Sequence, residues 1–287
     1  MMPAKLFSKK YLHLIGGVLG VLGIFFVAAR LYKYADQISI AHFSSREIFW
    51  MVLAVCVYGA ANVLLALAWQ KILAFFDAPV ATPWAIRAYG VSQLAKYVPG
   101  NIFQFAGRQA IGMAAGLEAR ALLKSTLYEL GLLALVGACY GILALPLLLG
   151  WLNGWMALLL FIATISALAW GIHHFFSAKL AAAWGMHTLF LLVSGLIFWL
   201  ILQNISHATP LPVAGVAGAY VLAWLIGLVT PGAPAGVGVR EAVLLFLLGA
   251  WVPPGQLVFT IVVGRMVTVI GDLLFFGVSC AMKRSPA

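Results

Sequence analysis

The stretch Thr230 to Glu241, TPGAPAGVGVRE, decides how the rest of the chain is read. It sets a Pro/Gly-rich break and a charge pair inside an otherwise apolar region. Pro234 removes a backbone donor, and Gly232, Gly236 and Gly238 favour turns over a continuous helix. Backbone groups freed in lipid cost several kcal/mol each, so such a segment must face protein or a water-filled cavity. A second stretch, Pro99 to Gln109 (PGNIFQFAGRQ), follows the same order: Pro-Gly, seven residues, Arg, then Gln where the other has Glu. Ala88-Tyr89 precedes the first and Ala219-Tyr220 the second, in register to within one residue. The two stretches read as a degenerate internal repeat whose halves build one site at membrane depth.

Composition sets the solvent. Of 287 residues, 64% are hydrophobic and 8% charged, with a mean hydropathy of +1.08. No soluble domain has that balance, and the chain reads as an all-α polytopic membrane protein. The net charge of +10 is spread over the ends of apolar runs, which is a topology signal rather than a nucleic-acid-binding face. Cys56, Cys139 and Cys280 lie inside apolar runs without metal or redox spacing and read as small packing residues.

The first span is expected over Tyr11 to Ala29, behind Lys5, Lys9 and Lys10, which place the N terminus in the cytoplasm. It is long enough to cross and lacks a good cleavage site, so it reads as an anchor and not a removed signal. A second span runs from Glu47 to Trp69. Trp84 to Val98 and Ile102 to Gly116 are two short helices around Pro99-Gly100, interrupted by too many charges to span, and read as a re-entrant hairpin from the cytoplasm. Spans over Thr126 to Leu149, Trp155 to Ile172 and His187 to Ile205 follow. They put the second broken element, Val216 to Trp251, on the opposite face from the first, as an inverted-topology repeat requires. Leu257 to Met282 is the last span, ending at the basic pair Lys283-Arg284 in the cytoplasm. The expected architecture is a single transmembrane domain over 1–287 with six full spans and two re-entrant hairpins. Its halves are about 11–149, with hairpin 84–116, and about 155–282, with hairpin 216–251.

Charges inside spans cost at least a few kcal/mol and usually face a cavity or a partner. Arg108, Glu129, Arg240, Glu241, Arg265 and Asp272 are therefore candidate site residues. Arginine grips a phosphate through a planar fork of donors, and helix N-termini beside the breaks add backbone N–H groups. Arg108 and Arg240 are expected to hold an anionic headgroup, with Glu129, Glu241 or Asp272 balancing charge or carrying a coupling proton. A purely structural reading pairs Arg240 with Glu241 and Arg265 with Asp272, pinning broken helices together. Glu129 stands near an expected helix start, where it would stabilise that terminus. Lys96 reads as a side chain reaching for the cytoplasmic interface, or as a site residue. Asn101 and Gln104 lie in the break and either bind a headgroup or satisfy free backbone. His173-His174 reads as an interfacial cap, and Trp84, Trp151, Trp155, Trp199 and Trp251 as an aromatic belt. Gly16 with Gly20, Gly112 with Gly116, and Gly137 with Gly141 read as close helix contacts.

Three stretches carry a resemblance: KYVPGNIFQFAGR at Lys96 to Arg108, TPGAPAGVGVREAVLLFLLG at Thr230 to Gly249, and GRMVTVIGDLLFF at Gly264 to Phe276. Together they resemble the lysylphosphatidylglycerol synthase transmembrane-region family, bacterial inner-membrane proteins that include the flippase part of those synthases. The family pattern is a Thr-Pro-Gly-Gly break, then Gly-x-x-Glu, then an Arg in the last helix. Thr230, Pro231, Gly232, Gly238, Glu241 and Arg265 match it, which adds Thr230 to the candidate substrate-binding residues. Ala233-Pro234 replaces the second Gly, and Arg240 precedes the Glu. The soluble aminoacyl-transferring part of the synthases has no counterpart in this sequence, so the resemblance implies moving a lipid rather than making one.

The expected function is a flippase for an anionic phospholipid or a polyprenyl-phosphate (glyco)lipid, with no cofactor, no metal and no nucleic-acid partner. A membrane-embedded headgroup-modifying enzyme is the second reading. Against it, the sequence has no HExxH, no paired-aspartate metal motif, no Gly-x-Ser-x-Gly and no nucleotide loop. A non-transporting subunit of an envelope biosynthesis complex is the third. Small-xxx-small motifs leave a homo-oligomer open.

Overall fold

A computed structural model describes residues 44–98, 102–150, 152–205, 211–230, 234–236 and 238–282. The expected first span at 11–29, Asn101, and the Pro-Gly pairs at 99–100 and 231–232 lie outside the described residues. Among the described residues nine α-helices follow one another: α1 (Ser45–Phe75), α2 (Thr82–Gln93), α3 (Phe103–Ala114), α4 (Ala119–Leu148), α5 (Gly154–Phe175), α6 (Ala178–Ile205), α7 (Val213–Val229), α8 (Val239–Leu248) and α9 (Pro254–Cys280). Short 3-10 turns at Leu94–Tyr97 and Pro234–Gly236 mark the two breaks, and the described residues contain no strand.

Local chemistry sets the ends. Ser44 and Glu47 cap α1 reciprocally: the Glu47 N–H donates to Ser44 Oγ at 3.3 Å, and the Ser44 N–H donates to Glu47 Oε2 at 2.7 Å. Asn153 caps α5 by accepting from the Trp155 N–H at 2.9 Å. Pro83 and Pro254 stand in the first turns of α2 and α9, where a missing donor costs nothing. Two helices start earlier than expected. α4 begins at Ala119 and α6 at Ala178, so Arg120, Lys124 and Lys179 sit in opening turns rather than in loops. A long cation is tolerated there because it reaches back to polar groups: Lys179 Nζ donates to the Ala74 carbonyl at 2.7 Å.

α1, α4, α5, α6 and α9 are each long and apolar enough to cross a membrane. The chain is an all-α, multi-pass membrane protein. Its apolar side chains point outward as well as inward, with Trp155 74%, Leu159 67% and Phe246 77% exposed, as lipid allows. Polar side chains are drawn inside instead: Asn62, Glu129, His187 and Asp272 are fully buried. Trp84 departs from the expected belt, lying buried with its ring stacked on Trp69 at 6.0 Å.

Helix packing repeats. In the first quartet α1 packs on α2 and α4, α2 on α3, and α3 on α4; in the second, α6 packs on α7 and α9, α7 on α8, and α8 on α9. Between quartets the contacts are exchanged: α1 meets α6, α2 lies on α9, and α7 lies on α4. Both crossings run over small residues. A Cβ at Gly90 would stand 2.0 Å from Ser279 Oγ on α9, and one at Gly218 would stand 2.8 Å from the Ala144 nitrogen and the Tyr140 carbonyl oxygen on α4. Gly137 lies against Leu225 and Gly141 against Leu222, helix contacts as expected. Gly116 is no such contact: with φ +93 it is the turn that ends α3. The two 3-10 turns touch, with Ala235 packed against Leu94, Tyr97 and Val269.

Gly218→Val forces a branched side chain into the α4 backbone, and is expected to cost about 3 kcal/mol, whereas Gly131→Ala meets nothing within 4 Å. Thermal unfolding of both variants in detergent should separate them by well over 5 °C; equal midpoints would contradict the packing described.

Candidate functional site

Each quartet brings together an aromatic ring, a tyrosine and an arginine, in different arrangements. In the first, Arg108 of α3 lies over Tyr89 at 4.4 Å and Trp69 at 4.9 Å, ring centroid to guanidinium carbon. In the second, Arg240 of α8 lies 5.3 Å over Tyr220, whose ring stacks on Phe198 of α6 at 4.8 Å. The faces of these rings attract a cation, and burial strengthens the attraction.

The counter-ions are not repeated. Arg108 is held by Glu129 of α4 through both terminal nitrogens, one bond being 3.2 Å from Nη1 to Oε1, and Tyr89 Oη donates to the same carboxylate at 2.8 Å. Arg240 is 7% exposed, and among the described residues no carboxylate stands within salt-bridge distance of it. Its Nε, like that of Arg108, is buried without a hydrogen-bond partner, so the missing carboxylate is what sets the two arginines apart. The neighbouring Glu241 turns elsewhere: it accepts from Arg265 Nε at 2.8 Å and from the Gly238 N–H at 2.6 Å.

The expected pairs Arg240–Glu241 and Arg265–Asp272 are thus replaced by Glu241–Arg265 and Lys96–Asp272. Consecutive residues on a helix point about 100° apart, and residues seven apart are separated by about 10 Å of rise, so neither expected pair can close. Arg265 also donates to the carbonyls of Ala235 at 2.8 Å and Gly236 at 3.1 Å, the carbonyls left free by the second break. Asp272 accepts from Lys96 Nζ at 2.8 Å, from Tyr97 Oη at 2.5 Å and from Gln93 at 3.5 Å. Gln93 donates to Asn62 as well, at 3.1 Å. Lys96 therefore does not reach for an interface. Glu129 lies ten residues into α4, roughly 15 Å from its start, so it does not serve that helix terminus.

Between these groups lies a cavity of about 80 Å³, room for several waters or one small polar group. Lys96, Gln104, Glu129, Arg240, Arg265 and Asp272 line it. Arg108 and Glu241 stand behind the lining, each bonded to a residue that belongs to it. Thr230 does not line it; its hydroxyl donates to the Ile226 carbonyl of its own helix at 2.6 Å. Tyr89 and Tyr220 entered the sequence reading only as register marks of the repeat, although a tyrosine kept at matching positions ahead of each Arg was the available signal. The Asn62–Gln93–Asp272 chain had no sequence signal, because ordinary amides inside apolar runs show no pattern. Among the described residues no group of three or more His, Cys, Asp or Glu is placed to hold a metal ion. No family model matches the chain, and no curated protein matches it.

Glu129→Ala leaves the Arg108 charge buried without a partner, a loss of about 3 to 5 kcal/mol. Adding Arg108→Met should restore most of the unfolding midpoint lost by the single variant. Additive losses in the double variant would show that the two side chains are not coupled.

Proposed function

We propose that this chain is a lipid flippase of a bacterial cytoplasmic membrane, related to the lysylphosphatidylglycerol synthase transmembrane region, with both termini in the cytoplasm. The short pairs α2–α3 and α7–α8 are re-entrant hairpins entering from opposite faces, and the substrate headgroup sits between their breaks. Its acyl or prenyl chains stay in lipid. Rocking of one quartet against the other then alternates access to the site.

The observation that carries this reading is Arg240, a buried cation with no carboxylate within salt-bridge distance among the described residues, on the wall of a cavity that both broken helix pairs help to line. An unbalanced charge at membrane depth is costly, and a bound anion removes the cost. The substrate class that follows is an anionic phospholipid or a polyprenyl-phosphate (glyco)lipid. Arg240 holds the phosphate, Gln104 and Lys96 border it, and Arg108 positions Tyr89 and Glu129 instead of touching substrate. Arg265 and Glu241 keep the second break in shape. The headgroup-modifying enzyme is less well supported, since the carboxylates on the cavity wall, Glu129 and Asp272, are already engaged by cations and tyrosines.

Purified protein in liposomes should move fluorescent anionic lipids between leaflets, and Arg240→Ala should slow this by about a hundredfold, as expected for loss of a buried charged contact. An Arg240→Ala protein that transports normally would remove Arg240 from the site. A wild-type protein that moves no lipid would remove the flippase reading.

A further inference from the structure

The charge count at the cavity goes further than a general preference for anions. Of the Lys, Arg, Asp and Glu side chains that line the cavity or bond to its lining, Lys96, Arg108, Arg240 and Arg265 are cations. Glu129, Glu241 and Asp272 are the carboxylates, and each is taken by one cation: Arg108 by Glu129, Arg265 by Glu241, Lys96 by Asp272. Among the described residues one cation, Arg240, is left over. We infer that the site takes a headgroup with a single net negative charge, a lipid phosphodiester, and disfavours both diphosphates and zwitterions. The inference rests on the flippase reading and narrows its substrate.

Charge burial gives the selectivity in both directions. A phosphodiester brings one negative charge to one free guanidinium and leaves the interior neutral. A diphosphate brings at least one more negative charge than the site has free cations, and the surplus stays buried. A zwitterionic headgroup brings an ammonium that needs a carboxylate, and Glu129 and Asp272 are already engaged.

Comparison of the quartets shows where the surplus arises. In the first, the short helix gives the cation, Arg108, and the long helix the anion, Glu129. In the second the polarity is reversed: α8 gives Glu241 and α9 gives Arg265. The short-to-long ion pair is kept, and Arg240 stands outside it. Ile261 is the position where a counter-ion is missing. It lies as many residues after Arg240 as the 21 that separate Glu129 from Arg108, is buried, and lines a narrow cleft together with Arg240 and Tyr220. Gly264, in the same cleft, cannot take a carboxylate side chain as easily, because a Cβ there lies 3.3 Å from the Phe198 ring.

The test uses purified full-length protein in nanodiscs and four short-chain fluorescent probes: a phosphatidylglycerol, a glycosyl-phosphoprenol, a prenyl diphosphate and a phosphatidylethanolamine. At least one of the two diesters should bind about tenfold or more tighter than the diphosphate and the zwitterion; which diester binds tighter tells a glycerolipid from a prenol substrate. Ile261→Glu supplies Arg240 with a carboxylate and should weaken diester binding about thirtyfold or more, while Ile261→Gln, matched in size, weakens it about threefold. Equal or tighter binding of the diphosphate would overturn the inference, as would an Ile261→Glu protein that is monodisperse and binds diesters as tightly as the Gln variant. If Ile261→Glu does not fold, the four-probe comparison on the wild type decides alone. Liposome transport keeps the two claims apart: a protein that flips diphosphate lipids and not diesters remains a flippase and refutes the charge count, and a protein that binds diesters selectively but moves nothing does the reverse.

Discussion

A helix that breaks inside a bundle leaves backbone carbonyls without their helical partners, and in this protein one guanidinium meets two of them. Arg265 donates to the carbonyls of Ala235 and Gly236 and, through Nε, to Glu241 at the start of α8. Seven residues further along the same helix, Asp272 collects Lys96 and Tyr97 from the other break. α9 is therefore the post to which both breaks are tied. These bonds add to the apolar packing of Ala235 on Leu94, Tyr97 and Val269 and put Lys96, Arg265 and Asp272 on the wall of the polar cavity. Each partner in turn needs the other, since a lone Arg265 or a lone Asp272 would be a buried charge without compensation.

On that frame the two quartets have been put to different uses. The first is charge-balanced: Arg108, lying over Trp69 and Tyr89, is paired with Glu129, which also accepts from Tyr89, although the Arg108 Nε stays buried without a hydrogen-bond partner. The second has the same kinds of side chain, as Phe198, Tyr220 and Arg240, and among the described residues no carboxylate within salt-bridge distance of the arginine. An internal repeat in which one copy is balanced and the other is short of one anion gives a direct physical source for a binding site. The balanced copy also provides a built-in comparison for the unbalanced one, because it shows how the same arginine is accommodated when no ligand is needed.

Much of this was legible in the sequence and some of it was not. The all-helical membrane class follows from composition, and the two breaks are expected where Pro-Gly pairs interrupt apolar runs. The repeat spacing found Arg108 and Arg240, because a seven-residue interval between Pro-Gly and Arg survived in both copies. Pairing was another matter. Arg240 and Glu241 are neighbours in sequence, yet the helix turns them to different sides, and Glu241 finds its partner 24 residues away on α9. Lys96 and Asp272 are 176 positions apart, and only the folded contact between the breaks brings them together. Helix starts read from the sequence fall too late where charged residues open a span, as at Arg120 and Lys179, because charge reads as loop; Lys179 is satisfied there by the Ala74 carbonyl.

The central claim is that Arg240, and not Arg108, meets the phosphate of the substrate. The most direct measurement is an electron cryo-microscopy structure of the protein in nanodiscs loaded with a phosphodiester lipid that it binds. The account predicts phosphate density in the cavity about 3 Å from the Arg240 guanidinium, with the Arg108–Glu129 pair intact behind it. A phosphate seated on Arg108 with Glu129 displaced, or a cavity empty of phosphate in protein shown to hold the lipid, would contradict it.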